Sequence, residues 1–261
     1  MIDIKLFRDV LVSEWTKLRT VRSTYWSVLL SIVLGVGLGA AISAGTAASY
    51  SDMSLHDRLQ FDPAAISLAG LFFSQLALGV FAIMTVSAEY STGMIRTTLT
   101  AVPQRGYVLA AKATLVAAVS MITSIGVAFA AFSIGQSIFA RHHLGVSLGD
   151  PGVARAVLGG GLYIGALTLL ALGLATIIRH TAGAITGLVA LVFIIPIVTQ
   201  LLPDSLQRDF SRYLPANAGS AITNVVQTPE SLGPWTGYAV FLGWTVLVIG
   251  IGYYLLRTRD V

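Results

Sequence analysis

Six long stretches without a single Asp, Glu, Lys or Arg decide what this chain can fold into. They hold 29 residues between Arg22 and Asp52, 26 between Asp62 and Glu89, and 28 between Lys112 and Arg141. Three more hold 23 between Arg155 and Arg179, 24 between Arg179 and Asp204, and 26 between Glu230 and Arg257. At about 1.5 Å of rise per residue, roughly 20 apolar residues cross a hydrocarbon layer of about 30 Å as a helix. A membrane β-barrel would show alternating segments of about 10 residues instead. The pattern predicts an all-α membrane protein with six spans near Thr24–Gly45, Ala64–Val86, Val108–Phe139, Ala156–Ile178, Thr181–Leu202 and Thr236–Leu256. With 55% hydrophobic and 11% charged residues, nothing is left for a soluble domain, so residues 1–261 read as one membrane domain.

Charge then orients the chain. Six crossings put both termini on one side, together with Lys5, Arg8, Lys17, Arg19, Arg22, Arg96, Arg105, Lys112, Arg179, Arg257 and Arg259. The other side carries Arg58, Arg141, Arg155, Arg208 and Arg212. Eleven against five places the termini in the cytoplasm by the positive-inside rule, and this accounts for the basic pI without nucleic acid as a partner. The small-residue run Ser43–Ala48 imitates a signal-peptide cleavage site. The apolar block before it is too long and its leader carries acids, so it reads as an uncleaved first span.

Several chemistries are excluded. No Lys follows a Gly, so there is no phosphate-binding Walker A loop. The four histidines, His56, His142, His143 and His180, lack metalloprotease spacing, and with no Cys there is no thiolate metal site. No Asp, Glu, Lys or Arg interrupts the six intervals, which argues against an ion-coupled transporter. Gln75, Gln136 and Gln200, with Ser74, Thr123 and Thr168, are the neutral polar points, each most simply an interhelical hydrogen bond. A path of hydroxyls and amides suits amphipathic or lipid-like cargo. Gly35-x-x-x-Gly39, Gly161-x-x-x-Gly165 and Gly183-x-x-x-Gly187 read as packing motifs, as does Gly159-Gly160-Gly161.

Two segments outside the spans carry further pattern. Over residues 1–23, Ile4, Phe7, Leu11, Trp15 and Leu18 share one helical arc opposite Lys5, Asp9, Ser13, Thr16 and Thr20, an amphipathic helix for the membrane interface. Trp15 would anchor it, and Lys17, Arg19 and Arg22 would meet anionic lipid; a plain orienting flank is the simpler reading. In residues 87–107, a short helix ended by Pro103 would show Met94, Ile95 and Leu99 to the cytosol as a docking ridge. Packing of these three under the chain's own helices is the alternative.

The run Glu89-x-x-x-Gly93, then Leu99, Pro103, Arg105 and Lys112, resembles the segment after the second span in type-2 ATP-binding-cassette (ABC) exporter permeases. Ser13-Glu14-Trp15-Thr16-Lys17-Leu18-Arg19-Thr20 is similar to the opening of actinobacterial members. The resemblance implies a connecting helix at residues 1–23 and a coupling helix docking into a separate ATPase subunit. It implies a dimer, identical or mixed, in the bacterial cytoplasmic membrane, with ATP and Mg bound by the partner and no cofactor in this chain. Glu89, Tyr90, Gly93 and Arg96 then fall in the coupling region, with Gly93 serving close helix approach and Arg105 leading into span three. Residues 203–235 would re-enter the membrane from outside as short helices, Ser205–Tyr213 and Ala216–Gln227; an amphipathic loop on the outer surface fits the composition equally. Antibiotics, lipid-like molecules and peptides are all open as cargo, and a non-transporting scaffold or sensor is the other function class.

Overall fold

A computed structural model describes residues 3–199, 201, 210–226 and 231–259. Helix α1 (Ile4–Thr20) is capped by Asp3, whose carboxylate accepts from the Lys5 and Leu6 amides at 3.1 Å. The first span, α2 (Arg22–Asp52), widens into a π-helical stretch at Val33–Leu38. Two short helices, α3 (Leu55–Leu59) and α4 (Pro63–Ser67), lead to α5 (Leu71–Ser91). The short α6 (Met94–Ala101) precedes α7 (Arg105–Ala140), α8 (Val153–Ile178) and α9 (Thr181–Thr199). After α10 (Pro215–Ser220), α11 (Pro234–Thr258) is the last span. Six of these helices, α2, α5, α7, α8, α9 and α11, are long and apolar enough to cross a membrane, one for each uncharged interval.

The boundaries differ from the charge pattern at span two. Asp62 caps a separate helix begun by Pro63, a turn follows at 68–70, and α5 starts at Leu71 and continues to Ser91. Glu89 and Tyr90 therefore belong to the last turn of a membrane helix. Gly70 allows the displaced start: a Cβ there would overlap the Gly35 carbonyl of α2. The same seam brings Gly39 to the Ser67 carbonyl, where a Cβ would lie at 2.8 Å. Close backbone approach of this kind replaces the hydrophobic effect that lipid cannot supply between helices.

Helix α8 is the hub, with 72% of its apolar window buried against 17% for α9 and 22% each for α2 and α11, which leave most of their surface outside the bundle. Gly161 admits Ile125 of α7, whose Cα would be 2.7 Å from an added Cβ. Gly183 and Gly187 face Ile178 at the preceding turn, so that motif packs a helix junction. Neutral polar groups tie helices together: Ser31 and Ser74 hydroxyls meet at 2.7 Å, and Ser124 donates to the Gly161 carbonyl at 2.8 Å. Gln136 donates to Pro63 O and Ser67 Oγ at 3.0 Å and accepts from the Val146 amide at 2.8 Å. Thr168 bonds within its own helix, Thr123 is half-buried, and Gln200 lies outside the described residues.

Most of the segment expected as Ser205–Tyr213 also lies outside the described residues; Ser211–Tyr213 forms a single 3₁₀ turn. The second expected helix is α10, begun by Pro215, followed by a 3₁₀ turn at Ala221–Thr223. Ala218, Ala221 and Ile222 are buried. Arg155 of α8 donates to the Ile222 and Asn224 carbonyls at 2.9 Å, and Trp244 of α11 donates to Tyr213 O at 3.0 Å.

Candidate functional site

At the end of the bundle where the chain begins, four charged side chains meet in a place largely closed to solvent. The i, i+4 row Val10, Glu14, Leu18 is the buried stripe of α1, and Lys17 stands one turn from Glu14. Helix α5 brings Glu89 in its last turns and α7 brings Lys112 two turns in. Lys17 Nζ lies 2.7 Å from Glu14 Oε1 and 2.8 Å from Glu89 Oε1. Lys112 Nζ lies 2.7 Å from Glu14 Oε2 and 2.8 Å from Glu89 Oε1. Each carboxylate thus touches both ammonium groups. Glu14 and Glu89 are 3% exposed and Lys112 6%.

The cluster is electrically closed. Two acids and two bases cancel, and each ammonium has a third acceptor, Thr85 O for Lys112 at 3.2 Å and Thr98 Oγ1 of α6 for Lys17 at 3.3 Å. All three donors of each ammonium are thereby used. The donors are fully met, whereas Glu89 Oε2 is buried with no hydrogen-bond partner among the described residues; desolvating each ion costs several kcal/mol and only good geometry repays it. Burial pushes the Lys17 pKa down, but the hydrogen bonds and charges of Glu14 and Glu89 outweigh it and hold the group above its ordinary value. Lys17 therefore serves the cluster, where the amphipathic pattern assigned it to anionic lipid. Lys112, counted with the cytoplasmic charges, lies two turns into a membrane helix.

Thr98 connects the cluster to α6. That helix follows Gly93, whose φ of +72° is the left-handed turn that reverses the chain after α5. An added Cβ at Gly93 would meet nothing within 4 Å, so the residue is needed for its backbone and not for close helix approach. The expected ridge is split. Ile95 is 5% exposed and Leu99 packs partly against the core, with Val86, Tyr90, Val108 and Leu256 around the same small cavity. Met94, Arg96, Thr97 and Thr100 face outward. Two large apolar side chains on one side of an eight-residue helix bury themselves against the helices they adjoin, because that removes more apolar surface from water than leaving them open.

The remaining predicted residues brace this end. The Arg105 guanidinium donates to the Leu256 carbonyl and to Arg259 O at 3.2 Å, closing the C-terminus of α11 with a cation. Arg179, itself at φ +59°, donates to Leu255 O at 3.1 Å and stacks over Tyr90 at 5.2 Å from the ring centre. Pro103 is exposed between α6 and α7. On α1, Phe7 meets Tyr107 with ring centres 6.2 Å apart and Leu11 is half-buried. Trp15 is exposed, as are Ile4 and Arg19, so the predicted arc divides between bundle and surroundings. His142 and His143 are exposed, and His180 caps α9 by accepting from the Gly183 amide. Among the described residues no group of acids and histidines has metal-binding form.

The sequence pattern quoted Glu14, Lys17, Glu89 and Lys112 within its two motifs, but did not bring the four together at one point. A signal was present: Glu14 interrupts the apolar i, i+4 row of α1, and a lone Lys inside a span demands a partner.

Against this geometry the comparison with protein families is decisive: residues 10–198 match the model of the ABC-2 family transporter protein. The chain belongs to the ABC-2 transporter family. It is thus a multi-pass permease component of an ABC transporter, a family that works with an ABC ATPase. The matched region contains α1 from Val10 onward, the whole cluster and α6. No curated protein matches the chain.

Proposed function

We propose that this ABC-2 permease is the membrane subunit of an exporter, moving an amphipathic or lipid-like molecule outward while ATP is hydrolysed in a separate subunit. The observation that carries the coupling role is the four-charge cluster. It joins α1, α5 and α7 at one point and reaches α6 through Thr98, so a push on α6 is delivered to three helices at once. The docking surface for the ATPase is the outward side of α6, Met94, Arg96, Thr97 and Thr100, while Ile95 and Leu99 root the helix in the bundle. In this reading both termini and α6 are cytoplasmic, and two permeases, alike or related, sit in the bacterial cytoplasmic membrane. The ATPases bind all the ATP and Mg.

At the other end the segment 210–226 lies along the first turns of α11. Trp244, which holds Tyr213, is ten residues into that helix, about 15 Å along its axis. That depth supports short helices re-entering the membrane from outside and closing the path. Among the described residues, the spans between these short helices and the four-charge cluster carry no Asp, Glu, Lys or Arg, which suits cargo without a fixed charge.

Tagged permease co-purifying with an ATP-binding-cassette ATPase tests the proposal. The double change Met94→Asp, Arg96→Glu is expected to release the ATPase while the permease stays folded. Ile95→Asp should instead lower the yield of folded permease. Full retention of the ATPase by the double variant would place the docking surface elsewhere.

A further inference from the structure

A groove of about 940 Å³ runs between α7 and α11, opening at the end of the bundle that holds the charge cluster. Its wall is ordered by depth. Arg105, Tyr107, Tyr253 and Arg257 stand at the mouth, and below them Leu109, Ala113, Val246 and Ile249 make the wall apolar. From Arg257 to Val246 the helix rises about 16 Å, close to half of a hydrocarbon core of about 30 Å. The groove thus has the length and the polarity of one lipid leaflet. Small residues keep it open: a Cβ added at Gly250 would meet nothing within 4 Å. At the mouth the two helices close up, and the Tyr253 ring would lie 3.2 Å from a Cβ at Gly106 of α7.

Both arginines are held in place with donors to spare. Arg105 spends only Nη1, on the Leu256 and Arg259 carbonyls; its Nε and Nη2 have no partner among the described residues and remain accessible. Arg257 is exposed and stacks over the Tyr253 ring at 5.7 Å from its centre, with no hydrogen bond or ion pair among the described residues. Stacking fixes a guanidinium without using any of its N–H groups. No acid lines the groove among the described residues. Asp3, whose amide meets the Tyr107 hydroxyl at 2.9 Å, turns its carboxylate onto the first amides of α1. Open guanidinium groups suit a phosphodiester, which each can grip through two parallel bonds, and basic pockets between membrane helices are places where anionic headgroups are held. A second copy of the chain fits less well, because twofold symmetry would set the same arginines against each other.

We infer that this groove holds an anionic glycerophospholipid, its phosphate between Arg105 and Arg257 and one acyl chain lying along Ala113, Val246 and Gly250. The inference needs only a membrane-spanning chain, so it stands or falls apart from the exporter reading.

The test uses the full-length permease in mild detergent micelles and native mass spectrometry, which counts the lipids retained. Phosphatidylglycerol and phosphatidylcholine with the same acyl chains are the probes. One phosphatidylglycerol should be held about tenfold or more tighter than phosphatidylcholine, and Arg257→Gln should cut that preference about fivefold, the share of one arginine near a headgroup. Gly250→Leu fills the groove without altering charge and should abolish the retained lipid, an unchanged melting temperature showing that α11 still packs. Arg19→Gln, at an exposed arginine of α1, should leave the preference as it is. Equal retention of the two lipids, retention by Gly250→Leu, displacement by glycerophosphate, or a loss in Arg19→Gln as large as in Arg257→Gln would overturn the site. So would a dimer that Gly250→Leu splits with no lipid retained, which assigns the groove to a second copy. Asp260 lies outside the described residues, and a preference that appears only in Asp260→Asn would show that this acid occupies the arginines in place of a lipid.

Discussion

Glu89→Gln and Lys112→Met, made singly and together, measure how far the charge cluster acts as a unit. Glu89→Gln keeps the acceptor that Lys17 and Lys112 share but leaves Glu14 alone against two ammonium groups. Lys112→Met leaves two carboxylates to Lys17 alone and orphans the third contact, at Thr85 O. Stranding one charge of a buried pair costs about 3–5 kcal/mol. The lower end, about 3 kcal/mol for each change, applies because the Lys17 side chain is 28% exposed and can draw in water. If the two losses were independent, the double variant would lose about 6 kcal/mol. It retains Glu14 and Lys17 as a neutral pair at 2.7 Å, so the expected loss is nearer 3 kcal/mol, a coupling energy of about 3 kcal/mol. Reversible unfolding in mixed micelles, titrated with denaturing detergent and followed by tryptophan fluorescence, reads all four proteins. Losses that add to within about 0.5 kcal/mol would show that the four charges do not form one unit, whatever their distances.

Two further outcomes follow from the same end of the molecule. Gly93→Ala meets no steric contact, yet it must hold φ near +72°, so it should lower stability by about 1–2 kcal/mol and uncouple ATP hydrolysis from transport more than it affects ATPase retention. The Lys17 pKa is raised in the folded state, so its contribution is fully present below the ordinary value of 10.5 and disappears as pH climbs through the higher folded value. Melting temperature should accordingly fall steeply only in strong alkali, and Lys17→Met should flatten that limb.

The six spans were legible because membrane crossing is a property of single segments: 23 or more consecutive uncharged residues suffice without knowledge of any neighbour. The cluster was not legible in that way. Lys17 and Glu89 are 72 positions apart and Lys112 and Glu89 are 23 apart, and each alone looks like the charged edge of a span. Only packing of α1 across α5 and α7 turns three edges into one site. For α6, helical spacing grouped Met94 with Ile95 and Leu99, whereas Met94 faces outward and the other two pack inward. It carries no information about which side of a short helix adjoins the bundle, so the outward side had to come from the structure. The glycine at 93 was recognised as a position that matters, but room for a neighbour and a left-handed backbone leave the same letter in a sequence.

Helix α5 runs unbroken from Leu71 to Ser91, with Glu89 near one end and Gln75 near the other. Fourteen residues separate them, about 21 Å of axial rise and nearly four whole turns, so both side chains point to almost the same side of the helix. A stiff rod of that length is a lever: rocking it by about 3° displaces the far end by about 1 Å, enough to make or break a hydrogen bond. A push delivered at the charged end of this helix would therefore move Gln75 at the other end with no relay of side chains between them.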